Sequence, residues 1–344
     1  CQIQSRGLGD VYKRQVQTLR TDLPTAIDDV LDRATAFDPT HRYDRAEDFV
    51  RAFRQALGAD VVSPTVTRPD VPIRNPFKGL RAFSEIDAGD FHGRDELIEQ
   101  LLASVGARPL TVAVGPSGIG KSSVIRAGVV PAIRAGSLGG SWLIADMFPG
   151  SHPFEELEAA LLRVAVDRPD GLLADLESDE RGLTRVVKQI LPGDDSSLLL
   201  IIDQFEELFS LVTDEQVRQR FLDSLVALAD DQRGRVRVVA TMRADFFDRP
   251  LAYPEFGQLL RAGLVPVSMP GRDEIAAAIS RPARDVGLDL EPGLVGAIVD
   301  DVESQPGGLP LLQHAMTEIV ARRTGNTVTL DSYRASGGVT GALA

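Results

Sequence analysis

The stretch that decides the fold is Leu110-Thr111-Val112-Ala113-Val114-Gly115-Pro116-Ser117-Gly118-Ile119-Gly120-Lys121-Ser122-Ser123-Val124-Ile125-Arg126. Leu110–Val114 is an apolar run of strand length, a glycine-rich loop follows it at once, and a helix is expected to start near Lys121. That order gives a G-x-x-x-x-G-K-[ST] match its meaning. Glycines let the backbone curl so that successive N–H groups face phosphate oxygens, and the helix adds its positive N-terminal end. The candidate cradle is Gly115, Pro116, Ser117, Gly118, Ile119, Gly120, Lys121, Ser122 and Ser123. Lys121 would bring full positive charge to the β- and γ-phosphates of a nucleoside triphosphate, and the Ser122 hydroxyl would ligate Mg²⁺.

Such a loop needs an acid to hold the metal, expected on a neighbouring strand. Leu198-Leu199-Leu200-Ile201-Ile202-Asp203 has the required form, five apolar residues and then a carboxylate. Asp203 is the candidate metal ligand beside Ser122. Glu206 or Glu207, just beyond it, would orient or deprotonate an attacking water; spacing does not choose between them. A further strand, Val236–Thr241, runs into Met242-Arg243, and an arginine just past a strand's C-terminal end can reach a γ-phosphate.

Working outward, the apolar runs Leu110–Val114, Trp142–Ala145, Leu198–Ile202 and Val236–Thr241 alternate with amphipathic segments. This alternation predicts an α/β domain over 76–271, a doubly wound parallel sheet flanked by helices. From 272 to 344 the pattern is helical only, predicting a small all-α domain. The sequence ends without a terminating signal, so truncation there is expected. Upstream, 59–75 carries several prolines and little periodicity, and reads as a linker. Residues 16–58 predict a short helical hairpin: Ile27, Val30, Leu31 and Ala34 form one stripe, Ala46, Phe49, Val50, Phe53 and Leu57 a second, with a turn at Asp38-Pro39-Thr40-His41-Arg42 and a C-cap at Gly58. Residues 1–15 lack periodicity and a starting Met, and are expected to be a disordered, non-native scar.

Composition narrows the function classes. Hydrophobic residues make up 43% and charged residues 25%, enough for a buried core. The net charge of −13 argues against broad binding to nucleic acid or anionic membranes. No apolar run approaches the roughly 20 residues a membrane helix needs. Cys1 is the only cysteine, so neither a disulfide framework nor a cysteine metal site is available. His41, His92, His152 and His314 are scattered without ligand spacing. No secretory signal is evident, and a cytoplasmic location is expected.

The ordered motifs together resemble the STAND class of P-loop NTPases, which includes the NACHT and NB-ARC branches. Phe91-His92-Gly93-Arg94-Asp95-Glu96 is similar to that class's hhGRE motif, Asp203-Gln204-Phe205-Glu206-Glu207-Leu208 to its acidic strand end, Thr241-Met242-Arg243 to its sensor arginine, and Gly308-Leu309-Pro310 to its GxP motif. NPFKGLRAFSEIDAGDFHGR, IIDQFEELF, MRADFFDRP and PGGLPLLQHAMTEI look in particular like the bacterial novel STAND domain, from Asn75 to the end. Residues 23–57 resemble the last two helices of a Ser/Thr kinase C-lobe, without the glycine-rich loop, HRD or DFG a kinase needs.

The resemblance implies that Gly93 and Arg94 touch base and ribose, that Pro310 packs on adenine, and that Arg243 senses the γ-phosphate. It also implies an ATP/ADP-controlled signalling switch with slow Mg²⁺-dependent hydrolysis and self-association through the NTPase domain in a longer kinase–STAND–sensor protein. A continuously turning-over motor ATPase and a non-hydrolysing, nucleotide-stabilised scaffold are the rivals. No LSGGQ-like signature and no NKxD base-reading motif is present to support an ABC-type ATPase or a GTPase.

Overall fold

The computed structural model describes residues 24–36, 41–43, 45–56, 73–166, 169–191, 193, 196–230, 235–303, 307–323 and 325–341. The chain divides into two compact units, Cys1–Val71 and Pro72–Ala344.

In the first unit two helices form, Ala26–Ala34 and Ala46–Ala56. Of the first predicted stripe, Ile27 and Val30 are buried. The Arg33 guanidinium lies 4.4 Å from the Tyr43 ring centroid, and Tyr43 meets Phe49 edge-on. Val50, expected on the second stripe, is 43% exposed. The expected scar, the linker through Pro72, Asp38-Pro39-Thr40, Leu57 and Gly58 lie outside the described residues.

The second unit is built on a parallel five-stranded sheet. Its strands are β1 (Leu110–Gly115), β2 (Ser141–Met147), β3 (Ser196–Ile202), β4 (Val236–Arg243) and β5 (Leu264–Pro266), in spatial order β2-β3-β4-β1-β5. The interior strands are buried on both faces, as a sheet covered by helices on both sides requires. Leu110, Val112, Leu198, Leu200, Ile202, Val238 and Ala240 point into one core with helices Pro153–Val164, Gly182–Ile190, Glu215–Ala229 and Pro254–Ala262. The alternate residues Ala113, Leu199, Ile201, Val239 and Val265 point into the other core, against helix Asp95–Ala107 and the helix after the loop. Period-two alternation along each strand thus serves two helical layers.

Two features differ from the sequence reading. β3 is not the neighbour of β1: β4 lies between them, paired with β1 from Leu110↔Val238 to Gly115↔Arg243 and with β3 from Leu198↔Val236 to Ile202↔Ala240. All three strands therefore end at one edge, and Asp203 still reaches the loop. β5 was not anticipated; it has three residues, ends on a proline, and sits at the sheet edge where a missing N–H is tolerated.

Beyond the sheet, helices Arg272–Asp285, Leu294–Glu303 and Gly308–Ala321 close a third core around Ile279, Ile298, Leu312, Met316 and Tyr333. This part also holds a two-stranded parallel pair, β6 (Asp289–Leu290) and β7 (Thr327–Val328), where helix alone was expected. Phe77, from the segment that precedes the sheet, is buried in that same core. The segment around it is tied there by Asn75 Nδ2 donating to the Thr317 carbonyl (2.9 Å) and Lys78 N donating to Gln313 Oε1 (3.1 Å). Six residues on, Phe83 N donates to Ser123 Oγ (3.2 Å). Residues 73–83 therefore form a strap from the helical part to the glycine-rich loop.

Candidate nucleotide site

The loop after β1 takes its shape from glycine. Gly118 and Gly120 have φ of +74° and +90°, in the region other residues rarely adopt. Gly115 is needed for closeness, since a Cβ there would sit 2.4 Å from the Val267 carbonyl oxygen. Helix geometry starts at Lys121, becomes π-helical over Val124–Val129 and returns to α over Val130–Arg134.

Lys121 is buried and folds back, its Nζ donating to the carbonyls of Gly115 (2.9 Å) and Pro116 (2.7 Å). Burial pulls its pKa below the ordinary lysine value, against an opposing pull from Glu206, while Arg243 adds to the lowering. Ser122 Oγ donates to Asp203 Oδ1 at 2.7 Å, and Thr241 Oγ1 donates to the same oxygen at 2.6 Å. Thr241 Oγ1 in turn accepts from Gln204 N at 2.9 Å. Gln204 has φ +56°, so the turn after β3 is bent tightly over the end of β4.

That bend separates the two glutamates. Glu206 is buried and its Oε2 accepts from Arg243 N at 3.2 Å. Glu207 Oε2 instead accepts from Gly150 N at 3.0 Å, in the turn after β2. The Arg243 guanidinium is paired with Asp245 (Nε at 3.0 Å, Nη2 at 2.6 Å), which raises its pKa.

Arg94 is buried, and its Nη2 donates to the Ile119 carbonyl at 3.1 Å, inside the loop; burial lowers its pKa. Gly93, at φ +82°, lies flat on helix Arg272–Asp285: a Cβ would meet the Glu274 carbonyl oxygen at 2.1 Å. Pro310 reaches the loop from the opposite side, its Cγ 3.4 Å from the point a Cβ on Gly118 would occupy.

These groups surround a cavity of about 400 Å³. Ser117–Ser123, Gln204, Glu206, Thr241 and Arg243 form its sheet-side wall, while Glu274, Leu309, Pro310 and Gln313 come from the helical part. The strap residues Gly79–Phe83 and the run Asp90–Arg94 complete it. Gly115, Pro116, Asp203 and Glu207 are not in the wall. Gly115 and Pro116 act through their carbonyls on Lys121, and Asp203 through Ser122.

The strap is fixed by two buried acids. Asp87 takes a fork from Arg81 (2.6 and 2.9 Å) and bonds from Ser84; Asp90 takes Arg74 and Lys78. Hydrogen bonds from Arg81, Ser84 and Lys78 hold the Asp87 carboxyl far below the usual carboxylate range. Burial pushes Asp90 upward, but Arg74 and Lys78 outweigh it and lower its pKa. Sequence reasoning gave no role to Gln313 or Arg126; it noted Thr241 only beside the sensor arginine and the strap only as part of a family-like stretch. Arg126 left a signal in its spacing, four residues after Ser122 and so on its face of the helix.

The arrangement fits a nucleotide and a hard divalent cation. Left-handed glycines, an inward lysine and a helix start make an anion cradle, and Ser122 with Asp203 offers the oxygen donors such a cation takes. Among the described residues no helix is long and apolar enough to cross a membrane.

Solved structures with this architecture include the ORC2 protein of Aeropyrum pernix in ADPNP–ADP complexes (TM-score 0.53, 15% identity, 79% of this chain and 72% of that one). The ORC1 protein of Aeropyrum pernix in complex with DNA is similar at a TM-score of 0.50 and 19% identity, over 72% of this chain and 65% of that one. At such identities the likeness is one of fold. No curated protein matches the chain. A family model, novel STAND NTPase 1, matches residues 76–344, from the strap through the sheet to the last helices. With the loop, the acidic strand end and the two-sided cavity all inside that span, the chain belongs to the novel STAND NTPase family.

Proposed function

We propose that the chain is a nucleotide-controlled switch that binds ATP or ADP with Mg²⁺ and hydrolyses ATP slowly. One observation carries this reading: a single cavity is walled by the phosphate loop on one side and by Pro310 and Gln313 of the helical part on the other. A ligand held by both sides couples its own state to their arrangement, provided it binds one arrangement better than another.

In this reading the backbone N–H groups of Ser117–Ser123 hold phosphate oxygens, and Lys121 leaves its carbonyl partners to neutralise their charge. Ser122 and Asp203 would hold the magnesium ion, which when bound supplies charge neutralisation at the phosphates. Glu206, buried and facing the cavity, orients the attacking water and accepts its proton; Glu207 is committed to Gly150 N. Arg243 would exchange Asp245 for a γ-phosphate. Gly93, Arg94 and Pro310 would border the base and ribose. Self-association, a cytoplasmic setting and an upstream kinase remain proposals resting on the sequence.

ATP binding followed by steady-state turnover tests the reading. Binding with slow unstimulated hydrolysis is expected, and Lys121→Ala should abolish binding. Fast unstimulated turnover would replace the switch with an engine, and normal ATP binding by Lys121→Ala would mean that the phosphate site is misassigned.

A further inference from the structure

Arg126 sits on the helix that follows the phosphate loop, within its π-helical segment. Its Nη2 lies 3.3 Å from Asp203 Oδ2 and 3.5 Å from Asp146 Oδ2, and the guanidinium faces the Phe148 ring at 5.3 Å. Its Nε and Nη2 are buried, yet neither makes a hydrogen bond among the described residues. The cation is therefore held near two carboxylates by charge alone, without the fork geometry that fixes a structural arginine–carboxylate pair. The two oxygens of Asp203 are also unequal. Oδ1 is filled by Ser122 and Thr241, while Oδ2 faces Arg126.

A carboxylate as buried as Asp203, 2% exposed, needs a countercharge when no metal is present. The geometry points to Arg126 as a resident countercation that stands in at Asp203 and sets how tightly the divalent metal is held. This rests on the proposed reading of Ser122 and Asp203 as metal ligands. When a divalent cation arrives, two cations share one carboxylate, and Arg126 lowers the affinity that Asp203 would otherwise offer. Asp146, 49% exposed at its side chain, is the alternative partner that draws Arg126 away. Arg126 is thus a positioning residue, acting through Asp203 and in balance with Asp146.

The test reads the Mg²⁺ concentration at half-maximal binding of a fluorescent ADP analogue to the whole chain. Arg126→Gln should move that midpoint to about tenfold lower Mg²⁺, the scale on which groups behind a metal ligand act. Asp146→Asn, a change at a half-exposed side chain that leaves the cores intact, should move it upward, because Arg126 then settles on Asp203 alone. A merely structural role for Arg126 would not shift the two variants in opposite directions. An unchanged or raised midpoint in Arg126→Gln, or an unchanged or lowered one in Asp146→Asn, overturns the inference while leaving the metal site standing. Nucleotide binding by the unaltered chain that ignores Mg²⁺ throughout overturns the Ser122–Asp203 reading, and this inference with it.

Discussion

Replacing Gly93 by alanine separates two costs that the structure keeps distinct. At φ +82° any side chain meets left-handed strain, about 1–2 kcal/mol. The added Cβ would also lie 2.1 Å from the Glu274 carbonyl oxygen and 3.1 Å from Ala278 N, both backbone atoms of helix Arg272–Asp285. No rotamer change relieves that overlap; the helix or the Phe91–Arg94 run has to move, at a further cost of about 1–3 kcal/mol. Gly93→Ala should therefore lose about 2–5 kcal/mol. Gly287 offers the control, with φ +79° and nothing within 4 Å of its would-be Cβ, so Gly287→Ala carries the strain alone, about 1–2 kcal/mol. Urea unfolding of the two variants under one condition reads the difference. Nucleotide affinity should fall in Gly93→Ala and not in Gly287→Ala, since Gly93 and Glu274 are in the cavity wall and Gly287 is not. Equal destabilisation by the two substitutions, with ATP affinity intact, would refute the packing of that run on the helix.

Other outcomes follow from the site. Glu206→Gln should retain ATP binding and lose hydrolysis, whereas Glu207→Gln should keep turnover and cost at most about 1 kcal/mol of stability through its bond to Gly150 N; single-turnover assays and thermal unfolding distinguish them. Asp87 and Asp90 have pKa values below those of the unfolded chain, so their stabilisation is complete above the ordinary carboxylate range and is lost as pH falls through their folded values. Asp87→Asn should accordingly flatten the acid limb of the stability–pH curve. Lys121, depressed by burial, should lose its proton below the usual lysine range near pH 10.4, so ATP affinity should decline earlier on the alkaline side than an exposed lysine would allow.

What could be read in the sequence followed the range of each interaction. Lys121, Ser122 and the glycine-rich turn before them are local, and Leu198–Ile202 announces Asp203 by five apolar residues in a row. The parallel sheet flanked by helices was legible from the alternation of strand-like runs with helical stripes. The strand order was not, because the insertion of β4 between β1 and β3 depends on β4 pairing with β1, more than a hundred residues upstream. The same distance hid the strap, whose Asn75 and Lys78 find Thr317 and Gln313 more than two hundred residues on. Adjacent glutamates looked equivalent until the left-handed turn at Gln204 sent one inward and the other to Gly150.

In the proposed switch one nucleotide touches both sides of the cavity. Hydrogen exchange of the chain with and without ADP and Mg²⁺ tests it most directly. The amides of Ser117–Ser123 and those of Leu309 and Leu311–Gln313, at the start of helix Gly308–Ala321, should slow together on binding, with the same nucleotide dependence. Protection confined to the phosphate loop, with the start of that helix exchanging as before, would contradict it.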